Sequence, residues 1–192
     1  MTHEDVLKIY EESGALLSGH FLLTSGLHSD RYFEKFAVLQ RPEKTELLAK
    51  EIARRFVNDG VEVVVGPAVG GILLAYEVAK ALGTRFHFTE RENGRMALRR
   101  GFAVKPGERV LVVEDVTTTG GSVQEVIDCV RAAGGEVIGV GLLFDRSEKG
   151  VDFGVKTEAL LRMPVRAYRP DECPLCKEGV AFTSRGSRHT AG

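Results

Sequence analysis

Residues 110–123, VLVVEDVTTTGGSV, gather carboxylates, hydroxyls and glycines into one short run. Glu114 and Asp115 follow four apolar residues that read as a buried strand. Val116, Thr117, Thr118, Thr119, Gly120, Gly121 and Ser122 then lead into apolar positions Val123, Val126, Ile127 and Val130, spaced as one face of a helix. Free backbone N–H groups and the positive end of a helix dipole meet at such a turn, which suits phosphate. The acids would repel phosphate, so they should face sugar hydroxyls or a divalent cation. Together the run reads as a sugar-phosphate site, with ribose on the acids and phosphate in the turn. The plainer alternative is an ordinary βα turn whose acids are solvated. In either case Ser122 and Glu125 have the S-x-x-E spacing of a capping box.

A second glycine turn, residues 66–71, contains Ala68, Val69, Gly70 and Gly71 and also lies between a valine-rich strand and a helical pattern. Two such turns at the carboxyl ends of parallel strands would share one crevice, so this turn is expected to take a second anion. Its glycines would otherwise serve close packing. Arg91, Arg95, Arg99 and Arg100 lie in a stretch with little apolar patterning. It reads either as a solvated loop or as a cationic lid over a polyanion. Asp145-Arg146 ends a further strand at the same edge. Tyr32 and Phe33, after a polar turn, are stacking or packing residues. Cys173-x-x-Cys176 supplies half of a zinc site, with only His189 following as a further ligand. It is read as a pair of thiols in preference to structural zinc.

These residues need an α/β frame to bring them together. Thr2 and Asp5 open a short helix that Gly14 stops, and residues 19–33 form a hairpin. Pro42 opens a helix that ends near Gly60. Strand 61–65 and a helix stopped by Gly83 follow, then strand 85–88. Residues 102–104 and 109–113 are expected to form a hairpin around the turn 105–108. Strand 137–144, a helix near 157–161 and a strand near 165–168 complete a parallel sheet with right-handed crossovers.

With 192 residues, 43% of them hydrophobic, the chain can bury one core. A net charge of -1 gives no support to nucleic-acid binding driven by charge. No apolar run approaches membrane-spanning length, and the first residues lack a signal peptide's pattern, so a cytoplasmic location is expected. Three cysteines argue against a disulfide framework. G-x-G-x-x-G and P-loop motifs are absent from the sequence.

The run 110–123 resembles the phosphoribosyl diphosphate (PRPP) signature of type I phosphoribosyltransferases. Residues 21–33, 66–71, 99–102 and 142–146 extend the resemblance to the orotate-specific branch. It implies a Rossmann-like parallel sheet flanked by helices, with a small hood from residues 1–41, a core over 42–169 and a tail over 170–192. It further implies that 114–122 bind PRPP, 68–71 face pyrophosphate, and Thr118, Arg146, Tyr32 and Phe33 border orotate. Arg91, Arg95 and Asp115 would act in catalysis, with Arg99 and Arg100 as further loop cations. Mg²⁺ would be held mainly by PRPP rather than by protein ligands, and the arginine loop would be shared across a homodimer. Many members carry lysines where this chain has Thr24 and Gly70, and their loops carry lysines and a histidine where this one has arginines. These departures leave open another base, purine or uracil. A non-catalytic PRPP sensor is the reading from a different class.

Overall fold

The computed structural model describes residues 1–23 and 25–184. In chain order the elements are α1 (His3–Glu12), β1 (Leu16–Leu22), β2 (His28–Phe33), α2 (Phe36–Leu39), α3 (Pro42–Phe56), β3 (Val63–Pro67), α4 (Gly70–Leu82) and β4 (Arg85–Glu92). They continue with β5 (Arg95–Leu98), β6 (Arg109–Thr117), α5 (Gly121–Ala132), β7 (Glu136–Asp145), β8 (Lys156–Arg162), α6 (Pro174–Lys177) and β9 (Thr183–Ser184). A six-stranded sheet runs β5-β4-β3-β6-β7-β8, parallel except where β5 pairs antiparallel with β4. β2, β1 and β9 form a separate three-stranded sheet.

A parallel strand covered on both faces must be apolar on both, which is why β6 begins as an unbroken run. Val110, Leu111, Val112 and Val113 are all fully buried. Leu111 and Val113 point into a cluster with α1, α3 and α4, while Val110 and Val112 point into one with α5. Each such side chain contributes about 1.5–3 kcal/mol relative to exposure. The sheet is thus the middle of three layers, and its carboxyl edge is held rigid where the turns leave it.

The opening helix, the hairpin, α3, α4 and the strands around them follow the sequence expectations. Thr2 and Asp5 form a reciprocal capping box, and Gly83 ends α4 in the left-handed region. α1 joins the core instead of the hood, because Val6 and Tyr10 are fully buried in it.

Other expectations need correction. Residues 157–161 lie in strand β8, which pairs with β7 at the sheet edge without an intervening helix. Residues 102–104 form no strand among the described residues. β5 is instead the partner of β4, across a turn at Asn93-Gly94. Both turn residues have positive φ, 50° and 81°, the requirement of a tight hairpin that an Asn-Gly pair meets. The arginine segment is therefore an ordered hairpin. Of residues 165–168, only Tyr168 makes a ladder contact, a bridge to His28.

Candidate active site

β3 and β6 are adjacent and parallel, so the turns that follow them open side by side at one edge. β6 runs past the apolar residues to Thr117, which places Glu114 and Asp115 inside the strand. Both are buried, at 7% and 3% exposure. Two carboxylates so deep require compensation. Glu114 Oε1 accepts the Asp115 N–H at 3.1 Å, and Asp115 Oδ1 accepts the Val116 N–H at 2.7 Å. Lys35, just beyond β2, places its Nζ 2.9 Å from Asp115 Oδ2. Burial, followed by the neighbouring Asp115 carboxylate, pushes Glu114 well above the usual carboxylate range. Burial opposes the charge on Lys35, but the Asp115 carboxylate outweighs it and raises the amine.

Lys35 was not picked out from the sequence. The only local hint was a lone lysine two residues past Phe33. In space its Nζ takes up a position beside Gly70. A β-carbon on Gly70 would lie 1.6 Å from Asp115 Oδ2 and 3.1 Å from Lys35 Nζ. Glycine at 70 is thus a condition for the Lys35–Asp115 pair. Gly66 and Gly71 are also cramped, though less so, with β-carbons that would meet Gly71 O at 2.4 Å and Pro67 Cδ at 2.8 Å. Ala68 and Val69 stand exposed at the mouth, joined by a cis peptide bond. Thr24 lies outside the described residues.

In the second turn α5 begins at Gly121, with Gly120 as its N-cap in the left-handed region and no side-chain cap. This corrects the capping box expected from Ser122 and Glu125: Ser122 is already inside the helix, and Glu125 pairs with Arg91 at 2.9 Å. The first N–H groups of α5 consequently stay available to an anion. Thr117 is buried, and its Oγ1 accepts the Gly120 N–H at 3.1 Å, so it shapes the turn from behind. Thr118, Thr119, Gly121 and Ser122 are exposed, and residues 116–122 line a pocket of about 220 Å³. A larger hollow of about 800 Å³, lined by Glu62, Thr84, Arg85, Lys105 and Glu108 among others, sits at the amino edge of the same strands and holds none of these groups.

The Arg146 N–H donates to Thr117 O at 2.9 Å, which fixes Arg146 beside the turn. Its neighbour Asp145 is fully buried and committed to Arg162 Nε at 2.9 Å and Ser147 Oγ at 2.6 Å. Arg146 Nε, by contrast, is buried with no hydrogen-bond partner among the described residues. Burial lowers the pKa of this guanidinium, with Tyr32 opposing. Tyr32 is near enough to influence the charges of both Arg146 and Lys35. Phe33 is a correction. Consecutive strand residues face opposite ways, and Phe33 packs into the core against Tyr10 and Phe144, at centroid distances of 5.0 and 4.5 Å. Its ring therefore faces the core and not the side that Tyr32 faces.

Three arginines of the hairpin are paired: Arg91 with Glu125, Arg99 with Glu92 at 3.4 Å, and Arg100 with Glu90 through both nitrogens at 2.8 and 3.0 Å. Arg95 is exposed and makes no ion pair among the described residues. The Arg91–Glu125 contact brings the hairpin to the first turns of α5, beside the anion pocket.

A phosphoribosyl transferase domain model matches residues 38–153, which include both turns. The orotate phosphoribosyltransferase of Pelotomaculum thermopropionicum is 58% identical over 188 residues, covering 98% of this chain and 99% of that protein. The chain belongs to the orotate phosphoribosyltransferase family. A further relative in this family, from Thermotoga maritima, is 50% identical over 95% of this chain and 98% of its own length. The crystal structure of an orotate phosphoribosyltransferase from Aeropyrum pernix superposes with a TM-score of 0.67 at 26% identity, covering 82% of this chain and 93% of that one. An adenine phosphoribosyltransferase from Rhodothermus marinus gives 0.66 at 23% identity, over 83% of this chain and 99% of that one. Shared fold therefore says little about the base, which must be argued from the site. No helix among the described residues is long and apolar enough to cross a membrane.

Proposed function

We propose that the chain transfers the 5-phosphoribosyl group of PRPP to N1 of orotate, giving orotidine 5′-phosphate and pyrophosphate. The observation that carries this reading is Arg146, a half-buried residue whose Nε is buried and unpartnered among the described residues, beside the phosphate turn. A guanidinium in that position calls for a planar anion, and the carboxylate of orotate fits its fork. The 5-phosphate would sit on the N–H groups of Thr118, Thr119, Gly121 and Ser122, with Thr118 reaching toward the base. Glu114 and Asp115 would accept the ribose hydroxyls, and residues 68–71 would face the pyrophosphate.

In this scheme the N1–C1 bond forms as the C1–O bond to pyrophosphate breaks, carbon C1 gains positive charge, and the proton on N1 passes to the departing pyrophosphate or to water. Buried carboxylates at the ribose favour that charge, and arginines favour the negative charge of the leaving group. Arg95 suits the latter role because no acid occupies it. A hard divalent cation such as Mg²⁺ fits the oxygen donors here and would disperse pyrophosphate charge when bound. Asp115 is engaged by Lys35, so the cation's ligands would come mainly from PRPP itself. We further propose a cytoplasmic homodimer in which the arginine hairpin serves the neighbouring site. Leu73 and Tyr76, exposed one turn apart on α4, support an interface there.

Incubation with PRPP, Mg²⁺ and a panel of bases tests the reading. Orotate absorbance should fall while uracil, adenine and hypoxanthine remain unchanged. Turnover of a purine without orotate turnover would replace the assignment of the base, and PRPP binding without any turnover would favour the sensor.

A further inference from the structure

The described residues contain one cluster of three or more histidine, cysteine or acidic side chains whose ligand atoms converge, and it lies outside the site above. His20 of β1, His28 of β2 and the two cysteines Cys173 and Cys176 place one ligand atom each within 4.8 Å of one another. Its contacts are His20 Nε2 to His28 Nδ1 at 2.8 Å, Cys173 Sγ to His20 Nε2 at 3.4 Å, and Cys176 Sγ to His20 Nε2 and His28 Nδ1 at 3.7 and 3.2 Å. A tetrahedral zinc ion with ordinary bond lengths sets its ligands about 3.4 Å apart for two nitrogens, about 3.6 Å for nitrogen and sulfur, and about 3.8 Å for two sulfurs. The cluster already has nearly that size.

Local chemistry agrees. His20 Nδ1 lies 2.6 Å from Val180 O, and a carbonyl can only accept, so the ring proton belongs on Nδ1 and a lone pair is left on Nε2 facing the other donors. Cys173 is the N-cap of α6 and Cys176 lies within it, which turns both sulfurs to one side. Cys173, His20 and His28 are buried, and Phe182 covers both imidazoles at centroid distances of 5.7 and 5.2 Å. Among the described residues the four ligand atoms make polar contacts only with one another. Two histidines and two thiols gathered within 4.8 Å, beside an aromatic ring, select zinc.

We infer that His20, His28, Cys173 and Cys176 bind a structural zinc ion that staples the C-terminal tail to the β1–β2 hood. With four protein ligands the ion keeps no open position, so it does no chemistry of its own. The bond network joins chain segments more than 140 residues apart. It also holds the hairpin that carries Tyr32. The reading of Cys173 and Cys176 as simple thiols is thereby replaced. Their partners come from upstream, whereas His189 lies outside the described residues.

The test is metal analysis of untagged protein purified without chelator from zinc-supplied cells. About one zinc per chain is expected. Cobalt(II) added to stripped protein should give the visible bands of a tetrahedral ion and a thiolate charge-transfer band. Cys176→Ala should lose both signals, and Cys129→Ala, altered elsewhere on α5, should keep them. Removing zinc should lower the Tm. A folded wild-type chain with less than about one zinc per ten chains and no cobalt bands would overturn the inference. So would a Cys173–Cys176 disulfide in the purified protein, or full metal content in Cys176→Ala. Should the variants fail to fold, the wild-type zinc content and cobalt spectrum decide.

Discussion

Replacing Gly70 by Ala strikes the site at its tightest contact. The new methyl would stand 1.6 Å from Asp115 Oδ2, and ordinary contact begins at 3.4 Å, so the carboxylate or the helix start must yield by about 1.8 Å. That displacement breaks the 2.9 Å pair with Lys35. Depriving a buried charge of its partner costs about 3–5 kcal/mol. Lys35 is 37% exposed, so water recovers part of this, and about 2 kcal/mol is the expected loss. Alanine's better helix propensity returns at most about 1 kcal/mol. The net loss of about 1–2 kcal/mol should lower the Tm by roughly 3–6 °C in a chain of this size. Gly121→Ala is the control, because its β-carbon would find only Thr119 Oγ1, at 3.7 Å. Calorimetry of Gly70→Ala, Lys35→Met and the double variant makes the test. If both changes act through one ion pair, the double variant should lose little more than the worse single one. A Gly70→Ala protein within about 1 °C of the parent, or strictly additive losses, would refute the reasoning.

Three other perturbations report on separate parts. The folded pKa of Glu114 lies above its unfolded value, so its charge opposes folding at high pH and is harmless below the ordinary carboxylate range. Glu114→Gln should therefore raise the Tm at pH 8 while weakening PRPP, and a lower Tm at that pH would contradict the burial argument. Glu51 is held at about 2, against an ordinary 4.5, chiefly by the hydrogen-bonded fork of Arg54. Its contribution is complete above pH 4.5 and fades as the pH falls toward 2. With Arg54 66% exposed, roughly 1–2 kcal/mol of acid-sensitive stability is expected, which Glu51→Gln should abolish in urea melts at pH 7 and pH 3. Arg95→Ala should lower kcat by about 100-fold with an unchanged Tm, whereas Arg100→Ala, which loses its Glu90 pair and its place over the Phe88 ring, should do far less. Equal effects on kcat would show that pairing does not distinguish the two.

The sequence made the phosphate turn legible because its parts are contiguous: strand, acids, hydroxyls and helix occupy 14 successive positions, residues 110–123. Helices with strong caps and apolar stripes were readable for the same local reason. Lys35 was not, since only the path from β2 to α2 carries it to Asp115. The metal-ligand quartet was also hidden, although two histidines flanking one hairpin turn offered a faint signal. The apolar residues of β8 fit both a short helix and an edge strand, and only its pairing with β7 decides. Two overlooked local rules would have helped: the Asn93-Gly94 turn marks a hairpin, and strand alternation separates Phe33 from Tyr32.

In the proposed reaction one crevice holds PRPP on the β6–α5 turn and the orotate carboxylate on Arg146. Steady-state KM values of Arg146→Ala for both substrates test it most directly. A hydrogen-bonded charge pair is worth about 1.5–3 kcal/mol, so the KM for orotate should rise roughly 10- to 150-fold while that for PRPP changes little. Equal weakening of both substrates, or of PRPP alone, would contradict the account.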